Sequence, residues 1–188
     1  MRRFGQPPID GTLRRKALDF LKGKTPDHNG VKVDQYFYMN DVELESCHGW
    51  IQWAFPIDTV SLYNEHAGRI FRDDPNVLRQ FTCGSELYIM CQRLMDLYLA
   101  TIGIDLYAKT NSIKFFQVVD SPYNHHMKRI SRLLLHLMIT GDTGDARHLY
   151  RTLINELVMK DPNRFPPKTV AYWGAIVLEF DESTRELL

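Results

Sequence analysis

The chain has 188 residues, of which 44% are hydrophobic and 24% charged, with 23 Lys+Arg balancing 23 Asp+Glu. That composition suits one folded domain and excludes disordered, collagenous and disulfide-scaffold classes. The zero formal charge removes the basic footprint with which sequence-independent nucleic-acid binders neutralise phosphates, so no nucleic-acid partner is expected.

The first 24 residues are locally basic, with Arg2, Arg3, Arg14, Arg15, Lys16, Lys22 and Lys24 against Asp10 and Asp19, whereas Glu179, Asp181, Glu182 and Glu186 make the last stretch acidic. Solvated surface accounts for both ends, with an anionic partner as the alternative for the first. Residues 1–11 are expected to be a flexible N-terminus. Thr12 is a candidate N-cap for a short helix carrying Leu13, Ala17, Phe20 and Leu21, closed by Gly23. Asp74-Pro75 is a second start signal, because proline at the first helical position wastes no hydrogen bond. Leu87, Met90, Cys91, Leu94, Tyr98 and Ile102 then recur at helical spacing up to Gly103, with Gly84 and Ser85 as a break between two helices.

Lys114 to Val119 reads as a short strand or an extended loop and stays unassigned. Ser121-Pro122 opens a helix with Ile130, Leu133, Leu134, Leu137 and Met138 on one stripe, ending at Gly141. Thr143 caps the next, through Ala146, Leu149, Leu153 and Leu157 to Asp161-Pro162. So short a connection predicts an αα-hairpin near residues 121–160. Thr169 to Phe180 suits a helix better than a strand, since no partner strands are evident. The fold class is therefore all-α, as one compact helical bundle spanning 1–188.

Cys47, Cys83 and Cys91 are odd in number and lack a Cys-x-x-Cys pair, against both a disulfide framework and a zinc site. Cys83 and Cys91 read as buried helix residues. No window approaches the about 20 consecutive apolar residues of a membrane span, and no signal-like apolar stretch opens the sequence. A cytoplasmic location without a membrane partner is expected. Nucleophile elbows, Walker loops and dinucleotide fingerprints are absent, so no cofactor is expected and established enzyme classes find no support.

Three segments carry a resemblance. His48-Gly49-Trp50-Ile51-Gln52-Trp53-Ala54-Phe55-Pro56, followed by Ser61, Asn64 and Ala67, forms a His-x-x-Ile-Gln-Trp-x-Phe-Pro run with a Ser-x-x-Asn-x-x-Ala spacing. Phe37-Tyr38-Met39-Asn40 precedes it, and His125 with Arg129-Ile130-Ser131-Arg132-Leu133-Leu134 follows. Together they resemble the conserved domain of the opioid growth factor receptor family, in one order from Phe37 to Leu134. The resemblance implies a mainly helical domain. Vertebrate members are described as receptors for a growth-restraining opioid peptide at the nucleus, but they carry long extra regions with no counterpart in these 188 residues, so that activity is not carried over; a nuclear location would follow only if the resemblance extended to it. His126 stands where the family usually has Asn, and Glu65-His66 replaces less polar residues; both mark candidate changes in a pocket.

On a helix turning about 100° per residue, His125, Arg129, Arg132 and His136 fall within roughly 60° of one another, away from the apolar stripe. Such a basic face is either a solvated outer surface or an anion-binding wall of arginine forks, and the resemblance favours the wall because His125, Arg129 and Arg132 are matched positions. His126, at the stripe's edge, is expected to be half-buried in a polar network rather than catalytic. Adjacent His125 and His126 diverge, and no other histidine pair has ligand spacing, so no metal is expected. Gln52 is either a backbone clamp or a ligand contact, and His48, four residues earlier, shares its face on a helix. Trp50, Ile51, Trp53 and Phe55 read as core.

Two functional readings follow from a pocket of His48, Gln52, Asn64, His125, His126, Arg129 and Arg132. The favoured one is a binding module for a small anionic ligand, a peptide or a protein. Its rival is an enzyme with His48 or His125 as acid or base on a small anionic substrate. A third, a surface-acting accessory protein of toxin, antitoxin or phage type, also fits the charges.

Overall fold

The computed structural model describes residues 11–47, 49–57, 75–120 and 125–178. Among these the chain is helical with no β-strand, and it divides into two compact units, Met1–Pro75 and Asn76–Leu188. No helix among the described residues is long and apolar enough to cross a membrane.

In the first unit, α1 (Gly11–Leu21) packs on α3 (Trp50–Ala54), with a 3-10 turn (Val33–Tyr38) and α2 (Asp41–Ser46) between them in the chain. Thr12 lies inside α1 rather than capping it. Asn40, the last residue of the Phe37–Asn40 element, has a plain structural task. Its side chain accepts from Val42 and Glu43 N–H while Glu43 Oε2 accepts from Asn40 N–H, closing a capping box on α2. Gly49 starts α3 at φ 110°, a conformation that disfavours any side chain. From there the signature turns inward. Trp50, Ile51, Trp53, Ala54 and Phe55 are all buried, with Trp53 edge-on to Phe20 and Trp50 stacked on Tyr36. The expectation that Trp53 and Phe55 are core residues holds.

The boundary between the units falls at the first residue of α4 (Pro75–Leu78), which leads into a 3-10 turn (Arg79–Phe81); Asp74 lies outside the described residues. The break expected at Gly84 and Ser85 is present: Gly84 takes φ 82°, and Ser85 caps α5 (Glu86–Thr101) by accepting from Tyr88 N–H. Gly103, at φ 79°, follows its end. The unassigned stretch at Lys114–Val119 is α6 (Ser112–Val119), capped by Asn111 accepting from Lys114 N–H.

Helices α7 (His126–Thr140) and α8 (Thr143–Thr152) pack against each other across Gly141, at φ 87°, as the expected hairpin. Ser121 and Pro122, its expected start, lie outside the described residues. Thr143 is the first residue of α8, with Asp142 before it, so the threonine does not cap. The chain after α8 widens into a π-helical turn (Leu153–Val158), where Glu156 Oε2 accepts from Thr110 N–H at 3.2 Å. The last segment is helical as expected, α9 (Pro167–Leu178), and Phe180 lies outside the described residues. Its Trp173 is buried and donates through Nε1 to Ser131 Oγ at 2.8 Å, and that hydroxyl donates in turn to Met127 O.

Candidate functional site

Helix α7 is the central element of the second unit, with α6, α8 and α9 all packed on it. That position decides the fate of its polar residues. His125 sits at the N-cap and is exposed, with its carbonyl accepting from Arg129 N–H. Arg129 is buried and Arg132 half-buried, and burial pushes the Arg132 guanidinium down to about 9. His136 is buried with its ring edge-on to Phe81 at 5.8 Å. The line His125, Arg129, Arg132, His136 is therefore not a solvated outer face. Helical periodicity located its polar residues correctly, but a helix with neighbours on several sides buries its polar flank as well.

His126 is more deeply buried than the half-exposed position expected. Its ring stacks on Tyr98, whose hydroxyl lies 3.5 Å from Nδ1 and donates to His126 O at 3.4 Å. This is a polar contact inside the core, of the structural kind expected for that residue.

Gln52 is half-buried on α3, with Oε1 out of contact with solvent. His48 and Asn64 lie outside the described residues. Gln52 belongs to the first unit, and His125, His126, Arg129 and Arg132 belong to the second, where α7 brings those four onto one element. Among the described residues no group of three or more His, Cys, Asp or Glu side chains is placed to hold a metal ion. Cys91 is buried in α5, and burial pushes its thiol up, whereas Cys83 is exposed in the turn before α5 and not in a helix, contrary to expectation.

Two polar clusters had no single motif to announce them. In the first unit, Asp27 is buried and accepts from Tyr36 OH at 2.6 Å, Asn29 N–H at 2.8 Å and Val31 N–H at 3.0 Å. The only sequence signal there is the turn-forming Asp27-His28-Asn29-Gly30 run. In the second unit, Gln92 Nε2 donates to both Asp142 and Asp145, across 50 and 53 residues of chain. No local spacing could foretell that pairing.

Asp142 and Asp96 are both held above the usual carboxylate range, first by burial and then by the negative charge of Asp145, with Asp105 adding to Asp96. A carboxyl whose folded pKa is raised binds its proton more tightly when folded. The repulsion is thus relieved as pH falls into the carboxylate range and is fully felt at neutral pH. Asp145→Asn is expected to raise the thermal midpoint at neutral pH and to raise it less near about pH 4, where carboxyls protonate. Equal gains at the two pH values in thermal unfolding would show that these carboxylates do not repel.

No family model matches this chain, and no curated protein or solved structure matches it.

Proposed function

We propose that the chain is a helical binding module, related to the conserved domain of the opioid growth factor receptor family, whose second unit recognises an anionic group through the arginines of α7. The observation that carries this reading is the pair of buried Arg129 and half-buried Arg132 on one helix. Three residues apart, they stand on adjoining positions of one face. Burial disfavours a cation, and a carboxylate, sulfate or phosphate bound in an arginine fork offsets that cost with charge-assisted hydrogen bonds. At neutral pH Arg132 remains charged. The resemblance of His125, Arg129 and Arg132 to matched positions of the family supports the same site, with exposed His125 at its rim and buried His126 as a structural support. A reducing, cytoplasmic setting suits Cys47, Cys83 and Cys91, none of which forms a disulfide.

The test is thermal unfolding with sulfate, phosphate and acetate at constant ionic strength. An anion that binds only the folded state raises the midpoint in proportion to the logarithm of its concentration. Arg132→Gln is expected to weaken binding by roughly tenfold or more, since a hydrogen bond to a charged group is worth about 1.5–3 kcal/mol. Arg129→Lys, which keeps the charge but removes the fork, should weaken it too while leaving the helical circular dichroism intact. An unliganded chain whose midpoint ignores all three anions would end the proposal.

A further inference from the structure

The contact between the Thr25–Val31 loop and α3 has a chemistry that the anion site does not use. Trp53 is buried, and its indole N–H donates to His28 Nδ1 at 3.0 Å. An indole nitrogen can only donate, so Nδ1 must be the unprotonated nitrogen and the neutral ring carries its proton on Nε2. The same Nδ1 lies 3.8 Å from Asp27 Oδ2. One nitrogen therefore faces a donor on one side and a carboxylate on the other.

The carboxylate is held in place. Asp27 Oδ1 accepts from Asn29 and Val31 N–H, Oδ2 accepts from Tyr36 OH, and the Asp27 N–H donates to Val31 O. Burial, and then the bond to Asp27, push the Tyr36 hydroxyl up, so it keeps its proton and remains a donor. The neighbours of His28 are thus Asp27 in its own loop, Tyr36 from the 3-10 turn acting through the same carboxylate, and Trp53 from α3. Helix α1 contributes Phe20 against the Trp53 ring. Trp53 and Tyr36 keep their protons, and the His28 side chain is partly exposed, so solvent can deliver a proton to it and take it back.

We propose that His28 is a pH-dependent latch between this loop and α3: neutral, its Nδ1 accepts the Trp53 indole N–H; protonated, Nδ1–H turns to Asp27 and releases Trp53. In the cation both Nδ1 and the indole nitrogen are donors, and two donors cannot share a 3.0 Å contact. Closing the distance to Asp27 to a charge-assisted bond of about 2.8 Å takes a ring movement of about 1 Å. An imidazole gains a proton on acidification, which makes acidification the signal. The latch is independent of the α7 site, and each can fail without the other.

The experiment follows the full chain by NMR, with the Trp53 indole N–H assigned by its loss in Trp53→Phe. Acidification should shift that resonance in step with the His28 ring nitrogens, and lower its hydrogen-exchange protection factor by roughly fivefold, the equivalent of one net hydrogen bond. His28→Gln supplies a carboxamide oxygen that accepts at every pH, so in that variant the step should vanish. A wild-type indole resonance that stays constant while His28 titrates overturns the latch. So does a His28→Gln chain that retains the wild-type step.

Discussion

Replacing Trp53 with alanine is expected to lower stability by about 3–5 kcal/mol, the usual cost of truncating a large aromatic side chain in a core. Trp53 is 2% exposed, packs edge-on to Phe20 with ring centroids 5.5 Å apart, and holds His28 through its indole N–H. Removing it leaves a cavity between α1 and α3, against the Phe20 ring. Trp53→Phe separates the contributions. It keeps one aromatic ring against Phe20 but loses the hydrogen bond and part of the indole's buried area, so the cost should be smaller, about 1–3 kcal/mol. The measurement is the urea midpoint of each variant at constant slope. A midpoint unchanged in Trp53→Ala would place the signature segment outside the core.

Gly103→Ala is expected to cost about 2–5 kcal/mol, adding left-handed backbone strain to overpacking. Gly103 sits at φ 79°, and a Cβ built there would lie 2.9 Å from both Asn111 O and Lys114 Cβ. The carbonyl cannot yield easily, because the backbone around it is tied down. Asn111 N–H donates to Gly103 O, Ile104 N–H to Leu99 O, and Lys114 Nζ to Ala100 O. Gly84 is the control. Its φ is 82°, but a Cβ there meets nothing within 4 Å, so Gly84→Ala should show the strain alone, about 1–2 kcal/mol. Equal losses for the two variants in thermal unfolding would show that the end of α5 does not approach the start of α6 closely enough to need glycine.

Local chemistry made much of the helical order legible. Gly84-Ser85 splits the long apolar run because a positive-φ glycine and a capping hydroxyl act within a few residues of each other, whereas Gly141 divides α7 from α8 through its positive φ without a capping hydroxyl. Helix α6 was missed although Asn111 caps it. Its eight residues include Phe115, Phe116, Val118 and Val119, and so short an apolar run has no period that separates a helix from a strand. The π-helical turn at Leu153–Val158 was equally invisible, since its side chains also suit an ordinary α-helix.

By itself, then, the sequence determined what depends on neighbours in the chain: the helical class, the hairpin, the left-handed glycines, and the burial of Trp53 and Phe55 within an aromatic run too apolar to stay wet. Tertiary structure decided what depends on distant partners. Arg129 and His136 are buried because α6, α8 and α9 surround α7, and no hydrophobic pattern on a single helix records how many sides its neighbours cover. Gln92 meets Asp142 and Asp145, and His28 meets Trp53, across separations at which spacing carries no information. A helix repeats every few residues, so its own period is written locally, whereas the environment of each polar group is fixed only when remote segments close around it.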